Sequence, residues 1–167
     1  MDEKPATGIV ARALHLVRSH LASLAYVFLG FGGLAWAIAA GREGFGIVGL
    51  LALALGLAIN LTLGELALRR AKAATPRSAD AAPSTIADNP GWLWVCVTLG
   101  LILVAMTALF DDRANGQLLG AAWVGGGVGS LLSARRLHGW ERSHAAWIVA
   151  ADPGRLLQVS VLRHPSA

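Results

Sequence analysis

The sequence predicts an all-α integral membrane protein: a four-transmembrane-helix bundle, both termini cytoplasmic, with a short β-hairpin-like tail at the C-terminal end. Two observations carry this. Residues 21–40, 46–64, 92–110 and 118–134 form four apolar stretches without a single acidic, basic or histidine residue. Each approaches the roughly 20 residues needed to cross ~30 Å of hydrocarbon at 1.5 Å per residue. All Lys and Arg residues except Arg42 and Arg113 then fall on one side of these stretches, and short loops rich in Lys and Arg stay cytoplasmic.

Composition agrees with a chain that has the bilayer as part of its solvent. It is 55% hydrophobic and only 14% charged, against about 25% charged for an ordinary soluble domain. The net charge of +4 is a topology feature, because no basic folded surface is available to present to nucleic acid. Cys96 is the single cysteine, so no intramolecular disulfide can form. The preference for Arg over Lys, with abundant Ala, Gly and Leu, suggests a GC-rich bacterial genome, and hence the inner (cytoplasmic) membrane.

Taken in order, residues 1–20 are a cytoplasmic N-terminal segment. Within it, residues 9–20 put Val10, Ala13, Leu14 and Val17 on one face and Arg12, His15 and Ser19 on the other, which predicts an amphipathic helix that either lies in the cytoplasmic interface or prolongs the first transmembrane helix. Residues 21–66 form the first transmembrane hairpin. The first apolar run is longer than the 7 to 15 residues usual for a secretory leader, which favours a retained span. Residues 67–91 mix Ala, Ser, Thr and Asp with Pro76, Pro83 and Pro90 and lack apolar periodicity, so they predict a flexible cytoplasmic linker. Residues 92–134 form the second hairpin. Both outer loops are short, which predicts antiparallel neighbours within each hairpin. In the cytoplasmic tail, residues 135–167, Trp147-Ile148-Val149-Ala150 precedes Asp152-Pro153-Gly154, and Leu157, Val159 and Val161 then alternate with polar residues. That is the pattern of a β-hairpin, which needs another surface to lean on.

Apolar burial gives helices in lipid no advantage over contact with acyl chains, so close packing rests on small residues spaced four apart. The expected packing faces are Gly33 and Ala37 in the first span, Gly56, Asn60 and Gly64 in the second, and Ala121, Gly125, Gly129 and Ser133 in the fourth. Asn60 is the most polar residue at membrane depth. It serves either as an interhelical hydrogen-bonding group or, with Glu65, as a solute contact at a cavity mouth. Glu65 also stands four residues before Arg69, the spacing of a helix-surface ion pair. Arg69, Arg70, Lys72, Arg135 and Arg136 fall at headgroup depth, where they anchor topology and attract anionic lipid. His20, His138 and His144 lie outside the apolar runs, and no metal-ligand spacing, nucleophilic triad or phosphate loop can be assembled. The sequence therefore predicts no cofactor and no catalytic set. Its partners are membrane lipids and either a membrane-protein partner or a second copy, in a non-enzymatic accessory or scaffold subunit. The alternative is a small homodimeric transporter or channel, with Thr62 and Thr107 joining Asn60 and Glu65 along its cavity.

Overall fold

The computed structural model describes residues 15–40, 46–78, 91–109, 113–150 and 159–163. Four helices dominate it: α1 (Val17–Ala40), α2 (Ile47–Ala73), α3 (Gly91–Leu109) and α4 (Arg113–His144). A π-helical turn at Phe28–Gly32 interrupts α1 without breaking it. Helix ends follow local chemistry. Gly46 enters α2 in an extended conformation, and Ala74 leaves it the same way two residues before Pro76, which cannot continue a helix. The last turns of α2 and α4 carry Arg70, Lys72, Arg142 and His144, the charge sign favoured at a helix C-terminus. Ala145 then turns the chain out of α4 with φ 44°, a left-handed conformation costing a residue with a side chain about 1 kcal/mol.

Two of the helices, α1 and α2, are long and apolar enough to cross a membrane. Leu93–Leu109 in α3 is a shorter apolar segment. The longest helix, α4, is less hydropathic than α2, with glycine and serine through its middle and Arg135, Arg136, His138, Glu141, Arg142 and His144 toward its end.

Helix α4 is the hub. Pairings along its length show α2 running parallel to it, with Gly56 against Ala122 and Gly64 against Ser133. Helix α1 runs antiparallel to it, from Ala25 beside Gly127 to Ala39 beside Gly116. The expected antiparallel neighbours of the first hairpin are therefore separated: α4 takes most of the contact surface of both α1 and α2. They still touch far from the sheet, where the Trp36 indole meets Gly49. Helix α3 lies parallel to α1, with Gly100 on Phe31 and Thr107 near Ala39.

One end of the bundle is capped by a sheet of order β1-β3-β4-β2, built from β1 (His15–Leu16), β2 (Arg77–Ser78), β3 (Ala146–Ala150) and β4 (Val159–Arg163). Strands β3 and β4 are the antiparallel pair expected from the tail, with Trp147 opposite Leu162 and Ile148 opposite Val161. The surface on which that hairpin leans is the protein's own. β1 pairs antiparallel with β3, β2 pairs parallel with β4, and the sheet packs on Val17, Leu21, Ala71 and Leu137.

Three boundaries differ from those read in the sequence. His15 and Leu16 are extended rather than helical, because β3 offers their backbone a partner; residues 9–14 of the expected amphipathic helix lie outside the described residues. Helix α2 continues to Ala73 and β2 occupies Arg77–Ser78, so the beginning of the expected linker is ordered structure, while 79–90 lie outside the described residues. Helix α4 runs ten residues beyond Ala134, to His144, before the hairpin begins.

Candidate functional site

The seam between α2 and α4 is made of backbone as much as of side chains. A β-carbon placed on Gly56 would collide with the carbonyl of Ala122, and one on Gly125 with the carbonyl of Leu53. One on Gly129 would lie 2.8 Å from the carbonyl oxygen of Leu57. No side chain fits at these three positions without the two helices moving apart, so the seam depends on close approach of one backbone to the other. Asn60 completes the seam. Its Nδ2 donates to the carbonyl of Gly56 in its own helix at 3.2 Å, its Oδ1 accepts from Ser130 Oγ at 3.0 Å, and its carbonyl accepts from Ser133 Oγ at 3.1 Å. Of the expected packing residues, Gly56, Gly64, Ala121, Gly125, Gly129 and Ser133 are all buried and Asn60 is half-buried.

The first span uses a different face from the one expected. Ala37 is exposed, and a β-carbon placed on Gly33 would come no nearer than 4.0 Å to its closest neighbour, Val124. The buried positions are Ala25, Gly32, Ala35 and Ala39, and Gly32 presses on Trp123 and Gly120 of α4. Phe28 adds a tilted ring contact with Trp123 at 4.9 Å. Helix α1 carries small residues on several sides, so spacing alone does not select which of Gly32 and Gly33 faces its neighbour.

The residues offered as a solute path are not brought together. Glu65 receives Arg69 Nε at 3.1 Å on the helix surface, with the Arg69 side chain 72% exposed. Thr62 is exposed and Thr107 buried; their hydroxyls donate to the carbonyls of Ala58 and Leu103 in their own helices, each at 2.8 Å. Arg69, Arg70, Lys72, Arg135 and Arg136 are exposed around the sheet end of the bundle.

A polar cluster at that same end went unseen in the sequence. Glu141 is 3% exposed, takes Arg18 Nε at 3.1 Å, and accepts the backbone N–H of Ile148 on its Oε1 at 2.9 Å. The Arg18 guanidinium also meets His138 Nδ1. One carboxylate thus ties the start of α1, the end of α4 and strand β3, and its burial is offset by an ion pair and a charge-assisted hydrogen bond. The sequence held a signal for it: Ser130, Ser133, Leu137 and Glu141 recur at helical spacing and are all buried, so the inward face of α4 continues past the apolar run. What pairs with Glu141, 123 positions away, could not be read from spacing. Beside this cluster, a groove of about 690 Å³ opens between α1 and α4. A second of about 400 Å³ lies between α3 and α4, lined by Leu99, Met106, Leu119 and Trp123 among others.

Compared with protein-family models, curated protein sequences and solved structures, the chain shows no match to any of them.

Proposed function

We propose that this protein is a non-enzymatic accessory or scaffold subunit of a bacterial inner membrane, crossing it four times with both termini cytoplasmic, and docking its helix bundle against a larger membrane complex or a second copy. The observation that carries the reading is the way polar and apolar groups are apportioned. Asn60, Ser130 and Ser133 are used up in hydrogen bonds within the seam, and the packing glycines are spent on internal helix contacts. Outside, every helix presents large apolar side chains to its surroundings, among them Leu34, Leu51, Leu55, Ile59, Trp94, Ile102, Leu119 and Leu132. Such a belt is the surface of a protein solvated by lipid or by another membrane protein. The orientation is supported by the sheet end, where Arg69, Arg70, Lys72, Arg135, Arg136 and Arg142 gather. Groups that would bind a solute are already bonded inside single helices or across one seam, which favours scaffold over transporter.

The test is purification of the tagged, natively expressed protein in a mild detergent, followed by mass spectrometry of stoichiometric companions and by flux assays in proteoliposomes. The expected result is a defined hetero- or homo-oligomer without solute flux. Solute flux abolished by Asn60→Leu would overturn the reading in favour of a transporter.

A further inference from the structure

We propose that the groove between α1 and α4 binds one anionic phospholipid, its phosphate held at the sheet end by Arg135 with His138 and Arg18, and an acyl chain laid along Ala22, Val128 and Leu132. The site rests on the membrane reading given above and specifies one lipid contact within it. Three observations converge on the groove. First, its basic side chains are confined to one end: Arg18, Arg135 and His138 lie toward the sheet, beside Leu16 of β1, and the lining away from it, at Ala22, Val128 and Leu132, is apolar. The rise from Val128 to Arg135 is about 10 Å of helix, enough to separate a charged headgroup from the first stretch of a chain. Second, its charge is not cancelled. Arg18 is offset by Glu141, but Arg135 is exposed and makes no ion pair or hydrogen bond among the described residues. A guanidinium so placed presents a planar set of donors to a phosphate. Third, no residue of α3 is among those lining it, although α3 packs on both α1 and α4 elsewhere, so among the described residues no third helix lines the groove.

A soluble anion would use the arginine and leave the apolar channel empty, and a neutral lipid would use the channel and gain little from the arginine. A phospholipid with net negative charge uses both. The depth is consistent with this, since Arg135 stands one residue beyond the last apolar residue of its span, where a chain enters the headgroup layer.

Native mass spectrometry of the full chain, purified in detergent and supplied with equal phosphatidylglycerol and phosphatidylcholine, tests the assignment. The expected result is one retained phosphatidylglycerol per chain. Arg135→Gln should lower that retention about fivefold. Val128→Trp, which fills the apolar channel from a partly exposed position, should lower it as well. Arg136→Gln removes the same charge from the neighbouring exposed position, outside the groove, and should leave retention unchanged. Equal losses from Arg135→Gln and Arg136→Gln would overturn the site and leave only general headgroup attraction. Displacement of the lipid by inorganic phosphate would overturn it in favour of a soluble anion. Alkaline carbonate extraction of membranes separates the two levels of failure: a chain that washes off refutes membrane residence itself, whereas a chain that stays in the membrane but holds no phosphatidylglycerol refutes only the groove.

Discussion

The bundle and its sheet cap are held together by opposite means. Among the described residues, five of the six largest fully buried side chains, Leu137, Ile148, Val17, Val149 and Val161, belong to the cap or to the helix turns beneath it; the sixth, Ser130, is in the bundle. The cap therefore hides bulky aliphatic groups, as a water-soluble domain does, and gains from their removal from water. Between the helices the buried positions are mostly Gly, Ala, Ser and Thr, while Leu, Ile and Val point outward. The same residue types thus take opposite places at the two ends of one molecule. On the proposed membrane reading, the solvent that each end meets accounts for the inversion: aliphatic burial is worth a great deal against water and almost nothing against acyl chains, so a bundle in lipid finds its cohesion in close backbone approach.

Substitutions at each end test this contrast. Gly125→Leu should have the largest effect, because even one added carbon meets the Leu53 carbonyl and the two backbones must separate. A loss of about 3 kcal/mol or more is expected, read as early loss of helicity when the detergent-purified protein is titrated with dodecyl sulfate. Glu141→Ala should come next, at about 2 to 3 kcal/mol. It leaves Arg18, whose side chain is 30% exposed, without its carboxylate and strips the Ile148 N–H of its acceptor. Its distinguishing outcome is spatial. Amide hydrogen exchange should accelerate across β3 and β4 while the amides of α2 and the middle of α4 keep their protection; uniform acceleration would show that cap and bundle are one cooperative unit. Asn60→Leu should be the mildest, at about 1 kcal/mol, because the glycine contacts on either side remain. A shift in the dodecyl sulfate midpoint as large as that of Gly125→Leu would mean that the hydrogen bonds, and not the backbone approach, hold the seam.

Much of the bundle was legible because it depends on quantities the sequence displays directly. Helix positions follow apolar length, and the α2 face follows four-residue spacing, since Gly56 and Gly64 sit in a helix rich in leucine; α4 has small residues on several sides and, as the hub, buries Gly116, Gly120, Gly125, Gly126, Gly127 and Gly129 alike. The α1 face was not legible, because with Gly32 and Gly33 adjacent and alanines at 35, 37 and 39, small residues occur on several sides of the helix. The cap was half legible. Alternation located β3 and β4, but β1 and β2 are two residues each and exist only because neighbouring strands offer them hydrogen bonds. The apolar count also stops at Ala134, whereas the helix continues on the strength of Leu137 and Glu141, whose partners lie in the cap and at the start of α1. Hydropathy measures the crossing of hydrocarbon, and a helix need not end where the hydrocarbon does.

The strand order carries a consequence for the chronology of the molecule. Among the described residues its sheet draws β1 from ahead of α1, β2 from behind α2, and β3 and β4 from behind α4, with β1 paired to β3 and β2 to β4. During synthesis the first two strands emerge long before either partner has been made, and they must wait through the translation of α3 and α4. The four helices are complete once His144 has been made, but the cap closes only when β4 has left the ribosome. Closure of the sheet therefore waits on β4: a chain cut short before Val159 would have α1 to α4 and still be open at one end.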